Sequence, residues 1–590
     1  MKTLSESGIG ENNTSDAILT FDESKIVRDV IKVEKLFDED GKEIEDQTTL
    51  PPKANGNVWR SINEALSIAK PGSIIQISAG TYGESLVIKI PNLIIESFEE
   101  DGKVILLSGK RPWITVAIDA ESRLEINRIR MVHMGPNFQN NFTQKIDMNY
   151  EKEGNSKCMA EFNFNSAIPG VLRILSGNVT LNRWVLSLNG VAAFLTEKVP
   201  CVALHNDTSV NINNCFLFGD SKEEVTTTGV VGINPYDISI KDTVIKDHLG
   251  GGVMLSLPPA HEDTNFQIIN NKILNCKTAG VYVEGNDSEL LIEGNEIIKC
   301  RAVGIRIVDG VNADIRENQL LENNDGIQII NNSSNMIANE IEKWHGHGIT
   351  ISNDHNNSKN SPMIKGNTIS NCKFNGIQIS GENGNMKIGI YNNTVNNNRK
   401  WGIKIMNNAC ADIIGRNFIH TNYNQGICIV EGSSWKIIEN TISKNLKANI
   451  AYGGRGSGNT IIERNKISES MSEGIFLVKG EDQTLINENI IRENLDGITL
   501  CDSNGKIFNN LIESNQRWGI QCSGTTIADI SKNQIKSNIL IGIMVKDLSD
   551  PKIGFNVLKD NHYQFSFDKK ISKCSCLPSN RGQFVRIQYS

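Results

Sequence analysis

Ile268–Ile273 has the sequence IINNKI, which is close to the motif Ile-x-x-Asn-x-Ile. This motif occurs thirteen times, and the last copy is Ile553–Leu558 (IGFNVL). Successive copies are 21 to 28 residues apart, mostly 23 or 24. The central asparagines are Asn271, Asn295, Asn318, Asn339, Asn367, Asn393, Asn417, Asn440, Asn465, Asn489, Asn510, Asn533 and Asn556. A period of this length, kept over so many copies, indicates an array of stacked structural repeats.

Each repeat also carries a glycine eight or nine residues after its asparagine, usually followed by Ile or Val. One copy has Asn449 instead. The aliphatic runs between these positions are short and alternate with period 2, and no window shows a helical apolar face. About 23 residues suit one solenoid turn of two or three strands, with the Ile column inside. We expect the glycines to occupy a bend that needs positive φ.

A second column lies five residues after the first asparagine column. It holds Cys276, Cys300 and Cys372, then Asn323, Asn398, Asn422, Asn445, Asn494, Asn515, Asn538 and Asn561. Asparagine tolerates the left-handed conformation of tight turns. In a stack of coils, its amide can also bond to the asparagine above and below. We therefore expect asparagine ladders at the turns, with the second column at a small, partly buried turn position.

These units resemble the right-handed parallel β-helix, or pectin-lyase-like, fold over roughly Val58 to Gln564. An entry segment adds to the resemblance: an amphipathic helix at Val58–Ala69, a strand at Ser73–Ser78, Gly-Thr-Tyr, and a strand at Leu86–Ile90. The resemblance implies an all-β, single-stranded right-handed parallel β-helix solenoid with an N-terminal amphipathic helix cap. A cap is needed because an open solenoid end would template aggregation.

The interruptions of the repeat suggest the domain organisation. A short strand is possible at Ile31–Phe37 within the first segment. The segments are an acidic, mostly disordered arm (1–55), the N-terminal cap and first coils (56–132), a long polar loop (133–170), regular β-helix coils (171–562), and a C-terminal cap or tail (563–590).

Composition narrows the function classes. The net charge is −8 with no basic block, which argues against nucleic-acid binding. No apolar run could span a membrane, and the N-terminus has no hydrophobic signal region. Cysteines that share columns indicate reduced, packed thiols, and Cys574-x-Cys576 with His562 offers too few ligands for zinc. We expect a cytoplasmic protein without cofactor or metal.

Many secreted β-helix proteins are polysaccharide lyases, hydrolases or epimerases, and their chemistry needs clustered carboxylates, or a Ca²⁺-carboxylate site with a nearby base, on one outward strand face. In Gly-Ile-x-Ile the x side chain points outward. That column contains no acid: it holds Tyr282, Arg306, Gln328, Thr350, Gln378, Lys404, Cys428, Ala451, Phe476, Thr499, Gln521 and Met544. Trp344–Gly348 (WHGHG) resembles the Gly-His-Gly of some polygalacturonases, but the accompanying aspartate signatures are missing. We lean against an enzyme and do not expect a carbohydrate partner.

Tryptophans beside basic residues mark candidate protein-binding positions, because such pairs are typical of interface hot spots. Trp401 follows Lys400 and Trp518 follows Arg517, and each tryptophan directly precedes a repeat glycine. The alternative, that these tryptophans cover an exposed core edge, stays open. The partner-binding candidates are Trp344, His345, His347, Lys400, Trp401, Trp435, Arg517 and Trp518.

The coils also resemble the β-helix regions of F-box-only protein 11 and SHC SH2-domain-binding protein 1. This resemblance implies a non-enzymatic intracellular scaffold that binds proteins in a cytoskeletal, ciliary or cell-division assembly. A ubiquitin-ligase substrate adaptor is one alternative, although the first 55 residues contain no convincing F-box. A carbohydrate-active enzyme of the polysaccharide lyase or hydrolase type is the other alternative.

Overall fold

The computed structural model describes most of the repeat region and parts of both ends. The described residues are 28–34, 58–99, 104–107, 114–132, 171–188, 199–219, 227–261, 264–342, 345–353, 361–381, 388–407, 409, 411–430, 435–453, 460–479, 484–567 and 587–589. The predicted polar loop at 133–170 lies outside them, as does the acidic arm except for residues 28–34.

Every strand in these residues pairs in parallel with the equivalent strand of the neighbouring coil, which builds three long sheets. One coil runs through Phe266–Ile269 in sheet 1, Lys272–Leu274 in sheet 2 and Ala279–Gly285 in sheet 3. The fold is an all-β right-handed parallel β-helix, as the repeat predicts.

Sheet 1 contains the strands that carry the first Ile of each Ile-x-x-Asn-x-Ile motif. Its strands are Val30–Val33, Val58–Trp59, Ile74–Ile77, Leu93–Ser97, Arg123–Asn127, Leu172–Asn182, Thr208–Asn213, Asp237–Lys241, Phe266–Ile269, Glu289–Glu293, Asn312–Arg316, Asn335–Ile337, Met363–Lys365, Ile388–Tyr391, Ala411–Gly415, Lys436–Ile438, Ile461–Glu463, Leu485–Asn487, Gly505–Phe508, Ala528–Ser531 and Lys552–Gly554.

Sheet 2 follows each asparagine of the first column and consists of short strands. They are Gly80–Tyr82, Val104–Leu107, Arg130–Val132, Val185–Ser187, Phe216–Phe218, Val244–Lys246, Lys272–Leu274, Glu296–Ile298, Gln319–Leu321, Glu340–Glu342, Thr368–Ser370, Thr394–Asn396, Phe418–His420, Thr441–Ser443, Lys466–Ser468, Ile490–Arg492, Leu511–Glu513, Gln534–Lys536 and Val557–Lys559.

Sheet 3 starts near the repeat glycines, and the long strand Leu172–Asn182 also contributes to it. Its other strands are Leu86–Ile88, Ile114–Ala117, Val199–Leu204, Thr227–Ile233, Val253–Leu257, Ala279–Gly285, Val303–Val308, Asp325–Ile330, Ile349–Asn353, Ile377–Gly381, Ile403–Met406, Ile427–Val430, Ile450–Gly453, Glu473–Val478, Asp496–Cys501, Trp518–Ser523, Ile541–Val545, Tyr563–Phe567 and Ile587–Tyr589.

The asparagine ladder forms as predicted. The backbone N–H and the Nδ2 of Asn271 both donate to Oδ1 of Asn295, at 2.9 and 3.0 Å. The same Nδ2 also donates to the Ile240 carbonyl at 2.8 Å. This pattern continues down the column to Asn556. The ladder therefore satisfies buried amides that would otherwise destabilise the core.

The left-handed backbone does not lie where the sequence suggests. It belongs to the residue before each ladder asparagine, such as Glu317 with φ 55° and Arg464 with φ 52°. The repeat glycines do not have positive φ either. A Cβ at Gly402 would lie 2.5 Å from the Gly426 carbonyl oxygen and 2.9 Å from Nδ2 of Asn422. Close approach of neighbouring coils, rather than a bend, therefore requires glycine.

The N-terminal helix is shorter than predicted. It runs from Ile62 to Ile68, and its N-cap residue Ser61 accepts a hydrogen bond from the Glu64 backbone at 3.4 Å. Val58–Trp59, predicted as helix, instead pairs with the strand Val30–Val33. The extended backbone at Ser61 ends the strand and starts the helix. Within the described residues, no helix has the length and apolar character needed to cross a membrane.

Candidate functional site

The outward face of sheet 3 carries the densest group of chemically active side chains. Its strands stay in register, so that Gln328, Thr350 and Gln378 lie directly over one another. The same column continues through Lys404, Cys428 and on to Met544, and it contains no carboxylate, as expected. A flat parallel surface of this kind displays one side chain per coil about every 4.8 Å.

The sequence reading missed a second outward column, formed by the residue before each repeat glycine. Register pairs such as Glu473 with Asp496, and Trp518 with Ile541, align these residues across coils. We call it the pre-glycine column. It contains Ala279, Val303, Asp325, His347, Asn375, Trp401, Gln425, Ala448, Glu473, Asp496, Trp518 and Ile541. The acids absent from the neighbouring column are therefore present here.

A first group, the Trp401 cluster, consists of Asp325, His347, Phe374, Lys400, Trp401 and Lys404. The Lys404 ammonium lies 4.4 Å from the centre of the Trp401 ring, and Lys400 lies 4.5 Å from that of Phe374. The Phe374 ring in turn stacks on the His347 ring with centroids 5.3 Å apart. Each of these half-buried rings, Trp401 and Phe374, thus has a lysine ammonium near its centre, a favourable arrangement for ring faces that carry negative charge density.

Asp325 and His347 meet inside the Trp401 cluster. The Asp325 Oδ1 accepts a 2.7 Å hydrogen bond from the His347 backbone N–H. A Cβ on Gly346 would overlap this carboxylate, which explains the first of the two glycines in WHGHG. Burial lowers the pKa of His347, against the opposing effect of Asp325, and burial raises the pKa of Asp325. The imidazole is therefore biased toward its neutral form.

A second group, the Trp518 cluster, consists of Glu473, Asp496, Arg517, Trp518 and Lys546. The Arg517 guanidinium lies 4.3 Å from the Trp518 ring centre and Lys546 lies 4.2 Å from it. Arg517 also donates to both oxygens of the buried Asp496. Burial raises the pKa of Asp496, and the hydrogen bond from Arg517 works against that rise.

The structure separates the other predicted candidates. Trp435 is only 1% exposed and its indole N–H donates to the Ala409 carbonyl at 3.1 Å, so it is a core residue without a surface role. His345 is exposed and lines a groove on the turn side of the coils. Trp344 lies outside the described residues. Only His347, Lys400 and Trp401 come together, while Arg517 and Trp518 form the separate Trp518 cluster.

The groove beside His345 has a volume of about 990 Å³ and combines three basic side chains with two carboxylates. One of the basic residues, Lys299, lies 3.6 Å from Glu322 in an ion pair. The lining residues are Asp247, Leu249, Asn275, Lys277, Lys299, Cys300, Arg301, Glu322, Asn324 and His345. Its cations are largely balanced by acids, so the groove is a weaker candidate than the pre-glycine column.

Among the described residues, no group of three or more His, Cys, Asp or Glu side chains could hold a metal ion. The described cysteines are free, as the sequence predicts, and most are buried. Burial raises the pKa of Cys215 and Cys522 to about 12, which makes both thiols unreactive at neutral pH.

Comparison with family models supports the architecture. Residues 178–360 and 259–418 match the model described as right handed beta helix region. Residues 422–573 match the model described as periplasmic copper-binding protein (NosD). Among curated proteins, none matches the chain significantly.

Solved structures with detectable likeness are distant. A point mutant of the periplasmic alginate epimerase AlgG is 15% identical, covering 51% of this chain and 77% of that one, with a TM-score of 0.34. The A-module of the mannuronan C-5 epimerase AlgE4 of Azotobacter vinelandii is 13% identical, with coverages of 72% and 88% and a TM-score of 0.28. A PL6 alginate lyase bound to a trisaccharide is 12% identical, with coverages of 90% and 86% and a TM-score of 0.24. Such scores carry no argument about activity.

One expectation from the sequence is overturned. A cytoplasmic location with cytoskeletal or ciliary association is wrong, because residues 422–573 match the model of a periplasmic protein. The resemblance to F-box-only protein 11 and SHC SH2-domain-binding protein 1 gains no support from these comparisons. One conclusion follows from the thirteen copies of the motif, the three parallel sheets and the β-helix family match: the chain is a right-handed parallel β-helix repeat protein.

Proposed function

We propose that this chain is an exported β-helix protein that binds a polysaccharide on the outward face of sheet 3, centred on the Trp401 cluster. The observation that carries the proposal is the half-buried Trp401 ring on an in-register sheet, with the Lys404 ammonium 4.4 Å and the Lys400 ammonium 6.0 Å from its centre. Once the Lys404 side chain moves off the Trp401 ring, the apolar face of a sugar ring can pack there through C–H groups that meet the electron-rich face. Cations and amides around the ring can bond to hydroxyl and carboxylate groups.

The match of residues 422–573 to a periplasmic protein model supports export, because polysaccharides are met mainly outside the cytoplasm. The expectation that carbohydrate is not a partner rests on the acid-free outward column, the missing aspartate signatures and the missing signal region. The pre-glycine column answers the first of these, since it places Asp325 and Glu473 on the same face as the tryptophans. The scaffold and ligase-adaptor hypotheses have no comparable observation in their favour.

A binding panel tests the proposal. Alginate, polygalacturonate and a neutral glucan are titrated into the full chain by calorimetry. We expect Trp401→Ala to weaken binding about tenfold or more, which corresponds to ~1.4 kcal/mol. The matched control is Phe418→Ala, since Phe418 is 44% exposed on sheet 2, away from this face. Equal effects of the two substitutions, or no binding to any polymer, would contradict the proposal.

A second candidate function is cleavage of the bound polymer, and the Asp325–His347 pair favours it. A neutral imidazole whose Nδ1 accepts from the Asn375 backbone N–H at 3.4 Å carries its proton on Nε2. In an acidic polysaccharide, the unprotonated Nδ1 would give up its bond from Asn375 and take the proton beside a carboxylate that Lys404 neutralises. A C=C bond then forms in the sugar ring, the bond to the glycosidic oxygen breaks, and the imidazolium returns a proton to that leaving oxygen. The test is product release from each polymer. His347→Gln should abolish turnover and preserve binding, whereas turnover that survives the substitution refutes this role.

We further propose that the helix Ile62–Ile68 is part of the N-terminal cap. Its Ile62, Ala65 and Leu66 side chains are buried, and the Glu84 carboxylate accepts from the Ile62 and Asn63 backbone N–H groups at 2.9 Å. The strand Val30–Val33 extends sheet 1 by one rung beyond Ile74–Ile77, so the helix shares the cap with this strand. Deleting residues 28–34 should lower the thermal midpoint and increase aggregation.

A further inference from the structure

We infer that Trp401 and Trp518 are two platforms for one linear polysaccharide, which lies parallel to the solenoid axis and contacts both. The inference rests on the proposed function and adds a binding mode and a minimum ligand length to it. The two tryptophans occupy equivalent positions on the same face, and their surroundings share the same chemistry.

The alignment of the two platforms follows from the strand register. Lys404, three residues after Trp401, pairs with Cys428, and the same column continues to Gln521, three residues after Trp518. Both tryptophans therefore stand in the pre-glycine column, five coils apart. At a strand spacing of about 4.8 Å, the two rings are separated by roughly 24 Å along the axis.

The two platforms have matching environments. Each ring is half-buried and has a cation about 4.2 to 4.4 Å from its centre: Lys404 for Trp401, and Lys546 as well as Arg517 for Trp518. Each also has a basic residue directly before it in the chain. Two copies of a single arrangement, separated by coils that lack it, indicate two contacts with one extended ligand.

The surface between the platforms has no charge in its outward column. That column contributes Cys428, Ala451, Phe476 and Thr499 between the two rings. In the pre-glycine column the intervening acids are Glu473, which accepts from Ser472 Oγ at 2.5 Å, and Asp496, which is paired with Arg517. A sugar chain that crosses this strip therefore passes the Glu473 carboxylate and the Asp496–Arg517 ion pair rather than a row of like charges.

Polar atoms without hydrogen-bond partners also lie on this face. Within the described residues, fifteen buried side-chain nitrogen or oxygen atoms lack a hydrogen-bond partner; four of them lie on the coils from Trp401 to Trp518 of this face, and a fifth lies on the coil before Trp401. They are Asn375 Oδ1, Trp401 Nε1, Asn424 Oδ1, Gln425 Oε1 and Thr499 Oγ1. Buried polar atoms usually find partners, so these five atoms can bond to a ligand that covers them. Hydroxyl groups, which both donate and accept, would satisfy this mixed set once the covering lysine side chains move.

A series of oligomers of increasing length tests the inference. Size-fractionated alginate and polygalacturonate oligomers are titrated into the wild-type chain and into Trp401→Ala, Trp518→Ala and Phe418→Ala variants. Linking two contacts raises the affinity only when the ligand can span them. We expect a rise of about tenfold or more once the oligomer exceeds roughly 24 Å. Trp518→Ala should remove this rise without changing the binding of short oligomers to the Trp401 cluster.

The possible outcomes separate this inference from the proposed function. If short and long oligomers bind equally and only Trp401→Ala weakens them, the second platform is refuted and the proposed function stands. If no oligomer binds the wild type, both fail. Thermal melts establish that each variant is folded, and Trp518→Phe, which keeps an aromatic face, should restore most of the rise. Failure of Trp518→Phe to restore it, in a folded variant, would contradict an aromatic platform.

Discussion

His248 shows how a single buried residue couples the fold to pH. Its Nε2 donates to the Leu217 carbonyl at 3.1 Å, while its Nδ1 is buried without a partner. Burial lowers the pKa of His248 from 6.5 to about 4, so the folded protein holds the neutral imidazole. In the unfolded chain the same group takes up a proton near its ordinary pKa.

The folded pKa of His248 lies below the unfolded pKa, which fixes the sign of the pH effect. His248 contributes its full stabilisation above about pH 6.5, and this contribution is lost as the pH falls toward 4. The loss amounts to roughly 3 kcal/mol. We expect His248→Gln to be less stable than the wild type at pH 7 but to lose less stability on acidification. Parallel melting curves at every pH would show that His248 does not contribute to the pH dependence.

Gly402 shows a requirement for glycine that does not depend on backbone conformation. A Cβ there would lie 2.5 Å from a carbonyl oxygen of the next coil. We expect Gly402→Ala to cost about 1–3 kcal/mol of unfolding free energy. The control is Gly453→Ala, where the nearest atom is a Val478 methyl at 2.9 Å and the nearest backbone oxygen lies at 3.7 Å. A loss of stability that is no greater in Gly402→Ala than in the control would remove the close-approach explanation.

Among the structural elements, the second asparagine ladder lacks one asparagine, and a side chain from a neighbouring position replaces its hydrogen bonds. Ser470 stands where the column calls for asparagine, and Asn449 stands where the repeat calls for glycine. The Asn449 side chain fills the gap: its Oδ1 accepts from Asn445 Nδ2 at 2.7 Å, and its Nδ2 donates to Asn494 Oδ1 at 3.1 Å. The two departures from the repeat are therefore one compensated change.

A double-mutant cycle tests this compensation. Asn449→Gly should leave the Asn445 amide without its partner and cost about 1–3 kcal/mol. Ser470→Asn should also destabilise, because the new side chain would compete with Asn449 for the same space. The double variant recreates the consensus pair, so we expect it to recover most of the stability. Additive losses in chemical denaturation would show that the two positions are independent.

At the scale of the whole molecule, stability comes from stacking, and each coil depends on its neighbours. Ile462 is fully buried in sheet 1, between Ile437 and Ile486 of the adjacent coils. Ile462→Asp would bury an unpaired charge in an aliphatic column. We expect it to lower the thermal midpoint and to open protease sites in the coils around it.

The adjacent residue provides the control for the Ile462 prediction. Ile461 belongs to the same strand but faces outward. Ile461→Asp should therefore leave the melt nearly unchanged while adding the same charge. An unchanged melt for Ile462→Asp would show that the inward register of sheet 1 is incorrect. Cleavage spread evenly over the chain would instead contradict the nearest-neighbour character of the stack.

The repeat pattern is enough to predict the β-helix, because a parallel stack repeats one set of environments and therefore one set of residue types. The interior Ile positions and both asparagine ladders could be predicted from the spacing of Ile268, Asn271 and Cys276, because the same spacing recurs in the following repeats. The length of the N-terminal helix could not be predicted from the sequence, because Val58–Trp59 follows the helical apolar pattern but pairs with the distant strand Val30–Val33. Pairing across the sequence overrode local preference there.

The candidate site could not be predicted from the repeat pattern, because it depends on how the coils stack. Simple alternation from Gly-Ile-x-Ile points to Lys404 and Gln521 but not to the residue before the glycine, where the backbone departs from strict alternation. It also cannot tell Trp435, which the fold buries, from Trp401 and Trp518, which the fold leaves half-exposed on one face. Side chains 22 to 28 residues apart, such as Asp325 and His347, become neighbours because parallel coils stack in register. Local sequence specifies the strand, whereas the stacking of coils determines which side chains share a surface.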